Sequence, residues 1–307
     1  MSLTFSRSAI TRGSVASILV TGASRGIGRA TCLSLARAGH RVFATMRDPS
    51  KAVELSAIAG AESLPIIVSA MDVDSDDSVR LGVGDIAAQH GQVDVLVNNA
   101  GIERRGSVEE LALGEFRAVM ETNYFGAIRC IQAVLPSMRA RGSGCIINIT
   151  SVSGRISSSP LGPYAASKFA LEALSEALAQ EVKALGIRVA IVQPGIINTD
   201  MASAIAAEAE GSLYPHSRRL AGMFAASLKT PTSPELVGDA IRSIIESDSP
   251  RFRNPVGPDA EPFLAWRAAM TDEQWVDWGA TGDESWYAAV EKDFGLDARK
   301  TGPRSVG

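Results

Sequence analysis

The sequence predicts an α/β fold built on a doubly wound parallel sheet of about seven strands. Short runs rich in apolar and β-branched residues alternate with longer stretches that have helical spacing. Because these runs are apolar almost throughout, we expect strands covered by helices on both faces, which is typical of parallel sheets. Such sheets bind ligands at the carboxyl ends of the strands. The predicted strands are 16–20, 41–46, 64–71, 93–98, 144–150 and 187–193, with 251–256 as a candidate seventh.

The segments between the strands have the spacing of amphipathic helices, for example at 26–38, 75–89, 115–140 and 163–185. The alternation of strand and helix is not interrupted by a repeat, a charge block or a low-complexity linker. We therefore expect one domain at residues 15–257.

Three further segments differ from this pattern. Residues 1–14 are polar and are expected to be frayed. Residues 201–228 are expected to form a helical lid over the ligand site, the alternative being an alanine-rich helix that faces the core. Residues 258–307 hold all four tryptophans and are expected to form a C-terminal helical extension. Three roles stay open for this extension: it packs as extra core, closes the pocket from the side or buries its tryptophans against a second subunit. The apolar face of the lid comprises Met201, Ile205, Met223, Phe224 and Leu228, and His216 and Tyr214 are candidates for ligand contact.

Composition excludes several classes of function. The 307 residues carry a net charge of −4 with a pI near 5.5, so no positive field favours nucleic acid or acidic lipid. No apolar run reaches the ~18 residues needed to span a membrane. The cysteines Cys32, Cys130 and Cys145 lack metal-ligand and CxxC spacing, so we expect reduced thiols in a cytoplasmic protein without a bound metal.

A glycine-rich turn, TGASRGIG at 21–28, directly follows the first predicted strand. In a doubly wound sheet, a dinucleotide pyrophosphate rests here on a helix N-terminus. Glycine permits the tight turn, the close approach of backbone N–H groups and the packing of helix on strand. The spacing of Gly22, Gly26 and Gly28 departs from GxGxxG, so a turn without a ligand remains an alternative.

Tyr164 and Lys168 stand four residues apart in YAASK, on one face of a predicted helix. A free tyrosine has a pKa of about 10 and is a poor acid–base catalyst at neutral pH. A neighbouring ammonium favours the phenolate, so we expect Lys168 to lower the pKa of Tyr164. Ser151 lies thirteen residues earlier, at the end of a predicted strand, and can bring its hydroxyl to the same substrate oxygen. Its alternative role is that of a helix cap or turn serine.

The glycine-rich turn, the YAASK stretch and five further motifs resemble the short-chain dehydrogenase/reductase family. They occur in the order found in that family and span about residues 15–256. The resemblance is to its single-domain branch, similar to the 17β-hydroxysteroid dehydrogenase-like members. It implies a Rossmann-type fold and an oxidoreductase that acts on CH–OH groups with a nicotinamide cofactor. The motifs are TGASRGIG (21–28), DV (72–73), NNAG (98–101), TNYFG (122–126), NITS (148–151), YAASK (164–168) and PGIINT (194–199).

The resemblance implies a catalytic set of four residues. Tyr164 exchanges a proton with the substrate oxygen, and Lys168 lowers its pKa and hydrogen-bonds the nicotinamide ribose. Ser151 holds the substrate oxygen and stabilises the charge that develops there. Asn123 positions a water that links Lys168 to solvent. Hydride transfer itself is the chemistry of the cofactor.

The expected cofactor is NADP(H). An acidic residue at the end of the second strand would select NAD, but Met46 occupies that position and Arg47 follows. Arg25 and Arg47 suit a 2′-phosphate, the alternative being that both are solvated. Asp48 comes one or two residues too late for the ribose unless the strand register is shifted. The expected cofactor contacts are Thr21, Gly22, Ser24, Arg25, Gly26, Ile27, Gly28, Arg47, Asp72, Val73, Asn99, Ala100, Gly101, Thr122, Tyr164, Lys168, Pro194, Gly195, Ile197 and Thr199, with Asn98 beneath the cofactor.

The stretch VFATMRDP (42–49) resembles hydroxysteroid and retinol dehydrogenase-like members, which implies a lipophilic ketone, aldehyde or secondary alcohol as the small-molecule substrate. Family members associate through the helices predicted at 115–140 and 163–185, so a homodimer or homotetramer is expected. The alternative is a redox sensor that holds NADP(H) without turnover. An epimerase or dehydratase is disfavoured because those relatives carry a larger substrate domain. The physiological substrate, the reaction direction and the subunit number stay open.

Overall fold

The sheet has seven parallel strands in the order β3-β2-β1-β4-β5-β6-β7, which confirms the predicted fold class. The computed structural model describes residues 15–207 and 211–299. The expected frayed segment 1–14, residues 208–210 of the lid and residues 300–307 of the extension lie outside the described residues. The strands are β1 (Ser17–Thr21), β2 (Arg41–Met46), β3 (Ile66–Ala70), β4 (Val95–Asn98), β5 (Gly144–Ile149), β6 (Ile187–Pro194) and β7 (Arg253–Val256).

Helices cover both faces of the sheet and continue beyond its last strand. They are α1 (Gly26–Arg37), α2 (Val53–Ala61), α3 (Asp76–His90), α4 (Leu113–Met120), α5 (Gly126–Arg141), α6 (Gly162–Lys183), α7 (Asp200–Ala206), α8 (His216–Ser227), α9 (Pro234–Glu246), α10 (Ala260–Ala268), α11 (Asp272–Ala280) and α12 (Asp283–Phe294). The sequence pattern did not locate α2 or α9. The single helix expected at 115–140 is α4 and α5, joined by a π-helical turn at Glu121–Phe125.

The strand order reverses between β1 and β4, so their connections leave toward opposite faces and a crevice opens at their carboxyl ends. β1 pairs with β2 on one side and with β4 on the other. Its residues Ile18, Leu19 and Val20 have no exposed area. A strand buried along almost its whole length therefore delivers the glycine-rich turn to this crevice.

Two hydrophobic cores lie on opposite faces of the sheet. One joins Ile18 and Val20 of β1 to Ile241 of α9 and to the inner side of α1. The other joins Leu19 to Val134 of α5 and to α3 and α6. Alternate residues of a strand point to opposite faces, so a strand with a core on each side must be apolar throughout. This explains the unbroken apolar runs in the sequence.

The C-terminal helices pack against the lid, at the carboxyl edge of the sheet. Trp286, Tyr287 and Val290 of α12 form a small core with Met223 of α8. The described residues include no helix that combines the length and the apolar character needed to cross a membrane.

Gly238 lets α9 lie directly against α1, so its replacement should destabilise the fold. In Gly238→Ala the new Cβ would lie 2.8 Å from the carbonyl oxygen of Ala30, a backbone atom that cannot rotate away. We expect the free energy of unfolding to fall by about 1–3 kcal/mol.

Gly84→Ala on α3 is the matched control, because an added Cβ there meets nothing within 4 Å. This change should raise the free energy of unfolding by roughly 0.5–1 kcal/mol. Urea denaturation compares the two variants, and equal midpoints would contradict the close packing of α9 on α1.

Candidate active site

A cleft of about 1600 Å³ runs along the carboxyl edge of the sheet, from the glycine-rich turn to the C-terminal helices. The residues of both predicted sets line this cleft, except Thr21 and Asn123, which lie behind its wall. Within residues 15–207 and 211–299, no three His, Cys, Asp or Glu side chains are grouped to hold a metal ion.

Two glycines of the first turn are required by close packing. Gly22 has a φ of +65°, and a Cβ there would lie 2.7 Å from the Cα of Ala100. A Cβ on Gly28 would lie 2.3 Å from the carbonyl oxygen of Gly22. Any side chain at either position would therefore push the turn away from α1 or from the loop after β4.

Helix α1 presents an uncapped N-terminus to the cleft. Its N-cap residue, Arg25, makes no side-chain capping hydrogen bond, and the first helical turn has no acidic residue. The first N–H groups of a helix lack intrahelical partners and the helix dipole is positive there, so this end suits an anion. Ser24, Gly26 and Ile27 line the cleft at the same point. The turn therefore fits the pyrophosphate of a dinucleotide.

Thr21 joins the first turn to the loop after β4. Its Oγ1 accepts from the backbone N–H groups of Asn99 (3.1 Å) and Ala100 (3.0 Å). Asn99 Nδ2 donates to the carbonyl oxygens of Thr21 (2.9 Å) and Gly22 (3.1 Å). Thr21, an expected cofactor contact, thus braces the cleft wall from behind, and Asn98 is buried deeper still.

Ser151 and Tyr164 meet inside the cleft. Ser151 stands just beyond β5 and Tyr164 lies in the first turn of α6, so the strand end and the helix start bring the two hydroxyls together. The Ser151 hydroxyl is close enough to the Tyr164 phenol to lower its pKa, and it also lies 3.5 Å from the carbonyl oxygen of Pro194. Ser151 Oγ also accepts from the N–H of Ser153 at 3.0 Å. The serine therefore has its expected place beside Tyr164 and is a turn cap as well.

The pKa of Tyr164 is raised to about 12, because burial outweighs the Ser151 hydrogen bond and the charge of Glu103 adds to the rise. Burial also lowers the pKa of Lys168 to about 8. The Nζ of Lys168 donates to the carbonyl oxygen of Ile149 at 2.9 Å and lies 5.6 Å from the centre of the Tyr164 ring. The lowering of the Tyr164 pKa expected from Lys168 is thus not found in this chain, where desolvation dominates. The phenol is protonated at neutral pH.

Asn123 lies in the π-helical turn between α4 and α5. Its Nδ2 donates to the carbonyl oxygen of Ile102 and to Ser167 Oγ, both at 2.9 Å, and its Oδ1 accepts from the Ile102 N–H at 2.8 Å. The side chain therefore ties the loop after β4 to α6 from behind the cleft wall. The water-positioning role implied by the resemblance stays a prediction.

Arg25 and Arg47 line the cleft at its β2 end, but they differ in pairing. Arg25 forms a 2.8 Å ion pair with Asp200, whereas Arg47 is exposed and has no hydrogen bond or ion pair to another described residue. Asp48 accepts from the backbone N–H and the hydroxyl of Ser50, at 3.0 and 2.7 Å, and caps the turn that follows. Among the described residues, Arg47 is therefore a cation at this end of the cleft without a hydrogen bond or ion pair, attracted at longer range by Asp74.

The wall expected beside the adenine is built from Asp72, Val73 and Thr122. The N–H of Asp72 donates to Ser78 Oγ at 2.9 Å, and Thr122 Oγ1 donates to Asp74 Oδ2 at 3.0 Å. Asp74 Oδ1 is buried without a hydrogen-bond partner among the described residues, and burial raises the pKa of this carboxyl. Asp74 is therefore a cleft residue that sequence reasoning missed.

The loop after β6 forms the opposite wall of the cleft. A Cβ on Gly195 would lie 2.1 Å from Asp259 Oδ1, while Asp259 Oδ2 accepts a backbone N–H of the loop at 2.8 Å. Asp259 therefore fixes the start of this loop from behind. Pro194, Ile197 and Thr199 line the cleft as expected, and Thr199 is also the N-cap of α7.

The lid helices α7 and α8 present apolar side chains to the cleft, around Leu161. His216 also lines the cleft. Tyr214 does not, because its hydroxyl donates to Glu109 Oε1 at 2.8 Å on the surface. Leu228 likewise stands outside the lining. The apolar lid residues of the cleft are Met201, Ile205, Leu220, Met223 and Phe224.

The four tryptophans of the extension all line the cleft. Trp275 and Trp278 stack with ring centres 5.2 Å apart, and Trp266 meets both edge-on. Trp275 Nε1 donates to the carbonyl oxygen of Ser157 at 3.0 Å, which ties α11 to the loop after β5. The extension thus lines the side of the cleft and also packs as added core, which are two of the three roles named above. Contact with a second subunit stays a prediction.

Arg219 fastens the lid to the extension. This buried side chain donates from Nε to Asp283 Oδ1 and from a terminal nitrogen to the carbonyl oxygen of Thr281, both at 2.7 Å. The other terminal nitrogen reaches the carbonyl oxygen of Gly279 at 3.3 Å, and the guanidinium lies 5.8 Å from the Trp286 ring centre. A buried cation requires such partners, so α8 and the extension are held as one unit.

Sequence reasoning missed four residues that shape this site. Asp74 and Glu103 directly follow the DV motif and the NNAG-Ile stretch, so closeness to a motif was an available signal. Arg219 and Asp259 offered no such signal, because their partners come from packing between distant segments.

The fold and the site define an oxidoreductase of the dinucleotide-binding α/β class. A family model described as short chain dehydrogenase matches residues 16–210. The chain therefore belongs to the short-chain dehydrogenase/reductase family, as predicted from its motifs.

One sequence relative and two solved structures support this family assignment. The chain is 38% identical over 255 residues to a 3-ketodihydrosphingosine reductase of Bacteroides thetaiotaomicron, covering 81% of this chain and 90% of that one. A short-chain dehydrogenase structure from Streptomyces avermitilis has a TM-score of 0.73 at 34% identity, covering 87% of this chain and 96% of that one. A gluconate 5-dehydrogenase from Burkholderia cenocepacia, solved with NADP and tartrate, has a TM-score of 0.69 at 26% identity, with coverage of 82% and 98%.

Loss of the Asp283 carboxylate should loosen the extension. In Asp283→Ala, Arg219 keeps two carbonyl partners but loses its only ionic one among the described residues. We expect a drop of about 1–3 kcal/mol in stability and faster cleavage within 258–299. Limited proteolysis with mass spectrometry measures this, with Asp277→Ala on the exposed side of α11 as the control. Equal cleavage rates in the two variants would contradict the clamp.

Proposed function

We propose that the protein is an NADP(H)-dependent oxidoreductase that interconverts a carbonyl and an alcohol, with Tyr164 as the acid and base. The carrying observation is that Ser151 and Tyr164 lie side by side in the cleft that also receives the uncapped N-terminus of α1. A proton donor beside a dinucleotide site is what carbonyl reduction requires.

The four polar residues have separate roles in this proposal. In reduction, Tyr164 Oη gives its proton to the substrate oxygen, while Ser151 Oγ donates a hydrogen bond to that oxygen. A pKa of about 12 keeps Tyr164 protonated through the neutral range, which supports the reductive direction. Lys168, with a pKa of about 8, is able to return a proton toward Tyr164, and Asn123 holds the surrounding loop and helix. NADPH, when bound, supplies the hydride.

The choice of NADP(H) over NAD(H) rests on the β2 end of the cleft. Arg47 has no hydrogen bond or ion pair to another described residue and follows β2 directly, where a 2′-phosphate would need a cation. Asp48 uses Oδ1 to accept from Ser50, which leaves only Oδ2 to accept from a ribose hydroxyl. The gluconate 5-dehydrogenase relative was solved with NADP, which adds support. Arg25 contributes less, because Asp200 already pairs with it.

The proposed substrate is a lipophilic ketone, aldehyde or secondary alcohol. Beyond Ser151 and Tyr164 the cleft is lined by the apolar lid residues and by the four tryptophans. Burial of an apolar substrate against such walls supplies binding energy in proportion to the area covered.

We also propose a cytoplasmic homodimer or homotetramer. Phe125, in the π turn, and Phe169, on α6, are large apolar side chains that are 44% and 41% exposed on the elements expected to associate. Cys32, Cys130 and Cys145 are free and buried, which supports a reducing compartment.

Tyr164→Phe removes the proton donor while keeping the ring. Oxidation of NADPH by a panel of ketosteroids, retinal, terpenoid aldehydes, aryl ketones and acetoacetyl thioesters provides the assay. We expect the variant to lose roughly 10²–10⁴-fold in turnover with nearly unchanged NADPH affinity. Tyr214→Phe, outside the cleft, is the matched control. Unchanged turnover in Tyr164→Phe would refute the mechanism, and tight NADPH binding by the wild type without any turnover would favour the sensor.

Arg47→Ala tests the cofactor choice. We expect the dissociation constant for NADPH to rise by roughly 10–100-fold and that for NADH to stay within about twofold, because only NADPH carries the 2′-phosphate. Isothermal titration with both cofactors measures the ratio. Arg80→Ala, on the outer face of α3, serves as control. Equal weakening of both cofactors would argue against a phosphate contact.

A further inference from the structure

Glu103 is a buried carboxylate on the wall of the cleft, two residues after the NNAG motif. Its side chain is only 9% exposed. Oε2 lies 3.4 Å from a terminal nitrogen of Arg105, while Oε1 is buried without a hydrogen-bond partner among the described residues. Buried carboxylate oxygens are normally satisfied, so the free one calls for an explanation.

The position of Glu103 is fixed on both sides. The preceding residue, Ile102, exchanges two backbone hydrogen bonds with the side chain of Asn123. The other terminal nitrogen of Arg105 donates to the carbonyl oxygen of Ala204 on α7, at 2.6 Å. The chain is therefore anchored on both sides of Glu103, to Asn123 before it and to α7 after it, on the wall of the cleft.

Glu103 follows a segment that lies beside the proposed reacting groups, because a Cβ on Gly101, two residues earlier, would lie 3.7 Å from Lys168 Nζ. The charge of Glu103 adds to the burial that raises the pKa of Tyr164. Burial raises the pKa of Glu103 as well, against the lowering effect of Arg105 and Arg104. Because Glu103 and Tyr164 line the same cleft, a substrate whose carbonyl lies at Tyr164 would extend along the wall that holds Glu103.

We propose that the Glu103 carboxyl group binds a hydrogen-bond donor of the substrate, a hydroxyl or an ammonium, close to the carbonyl that Tyr164 protonates. Rotation about the last torsion of a glutamate side chain is nearly free, so either oxygen can turn to the ligand. The inference rests on the proposed function and narrows its substrate class. The substrate is then an amphiphile, with a polar donor beside its carbonyl and an apolar remainder against the lid and the tryptophans.

The alternative is that Glu103 only stabilises the fold through its ion pair with Arg105. This alternative does not explain why Oε1 has no partner. The contact is long, it involves one carboxylate oxygen, and Arg105 is also committed to Ala204. A structural role would make the effect of removing Glu103 equal for every substrate. A recognition role makes the effect depend on the donor.

The experiment compares three ketones of equal chain length under NADPH: a plain alkyl ketone, its α-hydroxy derivative and its α-amino derivative. We expect the wild type to prefer a donor-bearing ketone by about tenfold or more in kcat/KM, the effect of one charge-assisted hydrogen bond. Glu103→Met should abolish this preference, measured within the variant as the ratio of kcat/KM between the donor-bearing and the plain ketone, so that an effect common to all three substrates cancels. Glu103→Gln, which keeps an acceptor oxygen but no charge, should retain the preference for a hydroxyl and lose that for an ammonium.

Glu181→Gln is the matched control, since Glu181 is exposed on α6, roughly 25 Å along the helix from Tyr164. Melting temperature and NADPH affinity of each variant check that the fold and the cofactor site are intact. The same preference in Glu103→Met as in the wild type, or no preference in the wild type, overturns the inference.

Failure of the proposed function gives a different result. All four tryptophans line the cleft, so their fluorescence reports ligand binding without turnover. If the wild type reduces none of the three ketones but binds the donor-bearing ones more tightly, and Glu103→Met does not, the reductase proposal fails and the Glu103 subsite stands. If the donor changes neither turnover nor binding, the subsite is refuted.

Discussion

The close approach of the glycine-rich turn to the loop after β4 is the contact on which the site depends. The two segments leave neighbouring strands at the point where the sheet order reverses, so their separation determines whether the cleft exists. Gly22 allows the contact with Ala100, and the side chains of Thr21 and Asn99 satisfy the backbone groups that it removes from water. The cofactor end of the cleft is thereby joined to the segment that continues into Glu103.

From this contact a run of buried and partly buried hydrogen bonds leads to the proposed reacting groups. Ile102 is held on both its N–H and its carbonyl by Asn123, and Asn123 in turn donates to Ser167. The Ser167 hydroxyl donates to the carbonyl oxygen of Tyr164 at 2.7 Å. The backbone of Tyr164 is therefore positioned relative to the dinucleotide turn by polar contacts inside the protein. Preorganisation of this kind is what proton transfer at a fixed substrate oxygen needs.

The sheet and most of the cleft lining were predictable because they depend on local patterns. Apolar runs define strands, and glycine spacing and the Tyr164–Lys168 interval define the motifs. The π turn at Asn123 was not predicted, because helical spacing marks 115–140 as helical but does not reveal the single turn in which the hydrogen-bond pattern changes. The raised pKa of Tyr164 was also missed, because desolvation depends on the whole surrounding structure and the sequence showed only the neighbouring charge. The positions of Tyr214 and Arg219 were not predictable either, because each depends on a hydrogen-bond partner about 60 to 105 residues away in the sequence.

The proposed catalytic residues and the aromatic wall of the cleft lie in different parts of the chain. The family match ends at residue 210 and contains the proposed catalytic residues, whereas α8 and the tryptophans lie beyond it. The two parts meet at a few polar contacts, among them Arg105 with the carbonyl oxygen of Ala204 and Trp275 with that of Ser157. Such contacts fix the distance between a polar reaction centre and an aromatic wall. Changes in the extension would therefore alter the shape of the aromatic wall and leave the contacts that hold Tyr164 in place. Glu103 lies at the boundary, because its loop belongs to the catalytic part and its ion-pair partner is bound to the lid.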